Sequence, residues 1–171
     1  NPLYVAYHAR EWGVPQHDDG KLFELLVLES FQAGLSWETI LNKREAFRAA
    51  FGGFIPERVA ACGEAETAAL LENRDIVRNR RKIAAAVQNA KVFLEIQREW
   101  GSFSHYIWHF TDGQVVHETG MASSPLSDRV SADLKKRGMT FVGTTIVYAY
   151  LQAIGVIDSH DPGCFLHKGT D

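Results

Sequence analysis

Two cysteines, Cys62 and Cys164, stand in 171 residues, too few for the disulfide framework that staples small secreted domains. No leader-like segment opens the chain, and no run of about 18 unbroken apolar residues that could cross a bilayer occurs in it. These absences point to the cytoplasm and away from a membrane. Basic charge is also short. Eighteen Lys and Arg against 21 Asp and Glu leave a net charge of −3, so any nucleic-acid face must come from local clusters and not from the global balance. The apolar–polar alternation of half-buried strands is almost missing, as are repeats and low-complexity segments.

What is present is helix. Apolar residues make up 46% of the chain, enough for one core in a single domain over residues 1–171 or for two small helical lobes with a pocket between them. Spacing and capping signals predict helices over residues 21–33, 37–51, 64–72, 79–100, 104–109, 125–137 and 145–154. Ser124 followed by Pro125 is a strong start signal. Residues 111–123 read as a loop with a short strand at Val115 and Val116. The expected fold class is all-α.

One residue breaks the pattern of its helix. Leu22, Leu26, Glu29 and Ala33 follow at spacings of three and four, which stacks them on one face and turns the Glu29 carboxylate inward. A buried carboxylate without a partner costs several kcal/mol or takes up a proton, so such a position calls for a partner or a ligand. The plain alternative is a Glu at the edge of the stripe or paired with an Arg. Gln32 to Trp37 then forms a break: Gly34 suits the left-handed end of one helix, and Ser36 can cap the next. That turn brings Trp37 close to Glu29. Upstream, Tyr4, Tyr7 and Trp12 crowd a short aromatic stretch. Rings beside a buried acid suit a flat, electron-poor or cationic heterocycle, although aromatics at this density also serve as core filling.

Two basic clusters occur, Arg74, Arg78, Arg80, Arg81 and Lys82, and Lys135, Lys136 and Arg137. Each reads as a phosphate-binding face or as an ordinary solvated helix surface. The second precedes residues 138–143, and a nearly all-apolar helix starts at Thr144 or Thr145. Such a hairpin can offer backbone N–H groups and positive charge to a phosphate, or can be a plain pair of antiparallel helices. His160 and Cys164 lie four apart around Pro162 and Gly163, with His8 near the other end. Imidazole and thiolate suit tetrahedral zinc, and a packed His with a buried thiol is the alternative.

Several strings in one order resemble the 3-methyladenine DNA glycosylase I family: residues 1–8, Glu11-Trp-Gly-Val-Pro15, Leu28-Glu29 to Gln32-Ala-Gly-Leu-Ser-Trp37, Ile76-Val-Arg-Asn-Arg80, Lys135-Lys-Arg-Gly138 and Phe141-Val-Gly-Thr-Thr-Ile146. The resemblance implies a helix-hairpin-helix glycosylase that flips a nucleotide out of double-stranded DNA containing alkylated purines and hydrolyses its glycosidic bond, releasing 3-methyladenine. It implies that Glu29 binds the base edge, that Tyr4, Tyr7, Trp12 and Trp37 line or stack in the pocket, and that Leu35 with Gly34 wedges the duplex. Lys135, Lys136, Arg137, Gly143 and Thr144 would then contact DNA. It also implies a structural zinc clamp on the chain ends through His8, His160 and Cys164, with a fourth ligand, an N-terminal Cys, lying before Asn1. Asp158, in the place of a hydrolysis-supporting Asp, is commonly Asn in this family, which leaves its role open. Asp75 likewise stands where the family often has Gly. The expected state is a monomer. Two other readings stand beside this one, a non-catalytic reader of alkylated DNA and a zinc-stapled interaction module; an exposed Glu29 would favour the module.

Overall fold

The computed structural model describes residues 1–160. Helix α1 (Pro2–Arg10) is capped by the Asn1 side chain with Pro2 in its first turn, the arrangement that satisfies a first-turn donor and presets φ. The sequence reading treated this stretch only as aromatic. Helix α2 (Asp19–Gln32) follows, capped by Asp18. Every residue from Leu22 to Phe31 is buried, so α2 is a central helix enclosed on all sides and not one with a single apolar stripe. Helices α3 (Trp37–Asn42) and α4 (Arg44–Ala50) replace the single helix expected over 37–51. The break falls at Lys43, whose backbone sits at φ −100°, ψ 0°.

A short 3-10 turn (Gly52–Phe54) and α5 (Pro56–Ala60) lead to α6 (Glu64–Glu72) and to the long α7 (Arg80–Trp100). Asn79 caps α7, and Gly101 ends it in the left-handed conformation. Helix α8 (Phe103–His109) and strand β1 (Val116–His117) come next. Helices α9 (Pro125–Lys136) and α10 (Thr144–Ala153) pack on each other as a hairpin, and α10 also packs on α2. Strand β2 (Ile157–Asp158) pairs in parallel with β1, Val116 opposite Ile157. The expected strand at 115–116 is thus shifted by one residue.

Two devices tie distant parts of the chain together. The Gly13 amide donates to the Ala153 carbonyl at 3.0 Å and the Gln16 amide to Ile154 at 2.8 Å. A Cβ on Gly155, whose φ is +82°, would meet Pro15 and Val14 backbone atoms at 2.5–2.7 Å, so this approach demands glycine. The second device is ionic. Arg44 donates in bidentate fashion to Glu11 (2.8 and 2.6 Å) and through Nε to Glu24 at 2.6 Å, and Arg48 also binds Glu24. The break at Lys43 starts α4 where these two arginines meet the buried Glu24 carboxylate.

Removing one partner of a buried ion pair leaves the other charge desolvated. Arg44→Met should therefore cost about 3 kcal/mol in urea unfolding; a loss within the range of ordinary surface changes would show that Arg48 alone neutralises Glu24.

Candidate active site

A cavity of about 360 Å³ opens between α1, the end of α2, Trp37 and α10, lined by Tyr4, Tyr7, His8, Trp12, Glu29, Gln32, Trp37, Ala149 and Gln152. Glu29 is 5% exposed, and its carboxylate makes no hydrogen bond or ion pair among the described residues. Desolvation pushes its pKa up to about 8. The Tyr7 hydroxyl and the Trp37 Nε1 are likewise buried without a hydrogen-bond partner among the described residues. Three polar groups facing one ring-lined cavity with their hydrogen-bonding capacity unused constitute a site for a polar, flat ligand.

The rings are held in a fixed relation. Tyr7 and Trp37 lie 5.4 Å apart at 50°, His8 stacks on Trp12 at 5.3 Å, and Trp12 meets the edge of His160 at 5.1 Å. The Arg44 guanidinium lies 5.8 Å from the centroid of Tyr7, so the clamp on Glu24 also backs a pocket wall. Gly34, at φ +81°, takes the left-handed conformation expected of it two residues past the last residue of α2, and the Ser36 hydroxyl accepts from Thr39 N at 3.1 Å. Gln32 donates to the Leu35 carbonyl at 2.6 Å and shapes the turn. Gly34 and Leu35 are both exposed at its tip.

Other residues singled out from the sequence fall elsewhere. Lys135 and Lys136 are exposed at the end of α9, and a Cβ on Gly143 would meet open space. Arg137 is committed to Glu99 at 2.5 Å and Asp133 at 2.8 Å and lies against Tyr106. The Thr144 hydroxyl donates to Asp128 at 2.7 Å, so this side chain ties α10 to α9. Lys82, read as part of a phosphate face, is buried and donates to the carbonyls of Phe31 (2.9 Å) and Ala33 (2.7 Å), the C-terminal end of α2. Helix ends attract cations in this way. Asp158 is 3% exposed and does not line the cavity; its Oδ1 accepts from the amide and from Nδ1 of His160, both at 3.0 Å. His8 and His160 have ring centroids 5.8 Å apart, while Cys164 lies outside the described residues. Among those residues no group of three or more His, Cys, Asp or Glu is placed to hold a metal ion, and no helix is long and apolar enough to cross a membrane.

Sequence reasoning missed Gln32, Ala149 and Gln152 as lining residues. Gln152 carried a signal: it is the one amide side chain in α10, in a run that is apolar and aromatic after Thr145.

A helical protein with a buried acid among aromatic rings is built like an enzyme that holds a flat base in a closed pocket, and comparison with known proteins gives the class. A family model described as methyladenine glycosylase matches residues 1–167, and the chain belongs to that family. It is 44% identical to DNA-3-methyladenine glycosylase 1 of Escherichia coli strain K12, over 99% of this chain and 94% of the relative. A crystal structure of 3-methyladenine DNA glycosylase I superposes with a TM-score of 0.94 at 46% identity, covering 98% of this chain and 96% of the other. The Staphylococcus aureus 3-methyladenine DNA glycosylase I, whose structure concerns recognition of 3-methyladenine, gives 0.93 at 37% identity over 96% of this chain and 91% of its own.

The raised pKa of Glu29 has a definite sign for stability. The folded state prefers the protonated carboxyl, so its contribution to stability is fully present below about pH 4.5, falls as pH rises, and is gone above about pH 8. Glu29→Gln should match the parent protein in melting temperature near pH 4.5 and exceed it by several degrees near pH 8.5. A difference that does not change with pH would mean that the carboxylate is ionised and compensated in the folded state.

Proposed function

We propose that this protein is a DNA glycosylase that flips an alkylated nucleotide from duplex DNA into the Glu29 cavity and hydrolytically excises 3-methyladenine, the first step of base excision repair. The observation that carries the reading is the buried, unpartnered Glu29 carboxylate in a ring-lined cavity, in a chain whose relatives are named for this activity. An interaction module has no use for an inward acid, and Glu29 is not exposed.

Methylation at N3 makes the nucleotide purine a cation, and a cationic base leaves as a neutral molecule without first being protonated. The glycosidic C1′–N9 bond breaks with its electron pair going to the purine, water bonds to C1′, and the water proton passes to solvent. The protein's work is to hold the flipped base. Tyr4, Tyr7, Trp12 and Trp37 supply ring faces, the Tyr7 hydroxyl and Trp37 N–H supply polar contacts, and Glu29 loses its proton to pair with the incoming charge. Leu35 with Gly34 fills the gap left in the duplex, and Lys135, Lys136 and the amides after Gly143 hold phosphates on the helix-hairpin-helix side. Residues 1–171 act as one domain and as a monomer in the cytoplasm.

Zinc is part of the proposal. Two imidazoles on one tetrahedral ion have ring centroids about 5 Å apart, compatible with the 5.8 Å between His8 and His160. The Asp158 carboxylate on His160 Nδ1 orients that ring in the manner of an outer-shell partner. His8, His160 and Cys164 would hold the ion, whose role is to fasten the chain ends.

Incubation with methylated duplex DNA, followed by chromatography of the released bases, should yield 3-methyladenine. Glu29→Gln should lower single-turnover release by at least about a hundredfold, some 2.7 kcal/mol, while the fold is kept. Unchanged release by the folded variant would sink the assignment of Glu29. Elemental analysis should find zinc, and a chelator should lower the melting temperature by several degrees; a natural protein free of zinc removes the clamp.

A further inference from the structure

We infer that Arg78 and Arg81, with Arg74 beside them, form a second phosphate-binding surface next to the Gly34–Leu35 turn, distinct from the hairpin between α9 and α10. The inference rests on duplex DNA being the substrate.

Residues 74–82 hold five cations and one acid in a chain of net charge −3. Arg74, Arg78, Arg80 and Arg81 are exposed. The ion pairs among the described residues engage Arg44, Arg48, Arg137 and His160 instead, so the arginines of this segment keep their charge available. The first turn of α7 contains no acid, and cations at the positive pole of a helix oppose its dipole. A surface selected for stability alone would carry the opposite charge there; an anionic partner reverses the sign of this cost.

Placement supplies the function of that charge. The buried Ile76 anchors the segment to the core. On one flank of the wedge turn, Lys82 Nζ binds the Phe31 and Ala33 carbonyls. On the other, Lys43, at the end of α3, reaches the Asp75 carbonyl at 3.5 Å. Both contacts join the basic segment to the chain around the turn that carries Leu35; Arg81 precedes Lys82 in the first turn of α7, and Arg78 stands just before the Asn79 cap. Arg80 shares a groove with Glu64 and Lys91 beside α6 and is left out. With Arg137 held by Glu99 and Asp133, Lys135 and Lys136 are the cations left at the end of α9 beside its turn into α10. Two such weak grips beside an inserted wedge suit a duplex that is kinked where one nucleotide leaves the stack.

The test measures affinity for a duplex with a stable abasic-site analogue as a function of salt, because each neutralised phosphate contributes about −0.9 to the slope of log K against log salt. An Arg78→Gln/Arg81→Gln double variant should bind at least about tenfold more weakly at low salt and have a slope shallower by about 1.8. An Arg78→Lys/Arg81→Lys variant should recover the slope, since Lys serves phosphate as a point charge. Arg98→Gln, at the far end of α7 roughly 25 Å away, should leave it unchanged. A folded double Gln variant with the parent slope, or a Lys variant that fails to recover it, overturns the surface. If the parent protein releases 3-methyladenine while the Gln variant keeps the parent slope, only this surface fails; a parent that releases no base overturns the glycosylase reading instead.

Discussion

Two carboxylates are buried on the central helix α2, and the different ways in which they are treated organise the molecule. Glu24 is met by Arg44 and Arg48, and Arg44 extends the network to Glu11. Glu29 is met by nothing among the described residues except rings and cavity. Each buried charge is expensive, and neutralisation by two guanidinium groups is the ordinary structural answer. The protein has that answer available one and a half turns away and does not use it for Glu29. The cost is kept in the free protein as a raised proton affinity, and a cationic ligand is the partner able to remove it. Core and site are therefore two uses of one helix.

This division also bears on how the pocket walls are attached. Tyr7 is the only buried residue of α1, which would leave that helix weakly attached if apolar contact alone held it. The bidentate pair from Arg44 to Glu11, just beyond the end of α1, supplies the missing attachment and passes close to the Tyr7 ring. Pre-organised rings and polar groups cost no rearrangement when the base arrives, which is where fixed sites gain their discrimination.

Much of this was legible in the sequence, and the misses have physical causes. The helices over 64–72, 79–100 and 125–137 appear within a residue or so because capping residues and periodicity agree there. Glu29 was legible as an inward acid, but the reason was incomplete: a stripe was read where the helix is enclosed all round, and periodicity loses its meaning when every face is buried. Helix α1 was missed although Asn1 and Pro2 are sound start signals, since its exposed apolar residues blur any stripe. The break at Lys43 has no sequence mark, because it answers to the distant Glu24. Lys82 and Arg137 looked like members of charged faces; only tertiary partners show that one caps α2 and the other closes an ion pair.

Residues 13–16 and 153–160 illustrate the same dependence on distant partners. Main-chain hydrogen bonds from Gly13 and Gln16 and the close approach at Gly155 already dock residues 13–16 against 153–155. A Cβ at Gly13 would meet His160 Cε1 at 2.7 Å, so the glycine makes room for that ring. Through it His160 reaches Trp12, which stacks on His8 and lines the base cavity. An ion on these two imidazoles would therefore act on a junction that hydrogen bonds and packing have already formed. Its effect would be to stiffen the Trp12 wall rather than to create the fold, and chemistry at Glu29 would feel it only through the rings in between.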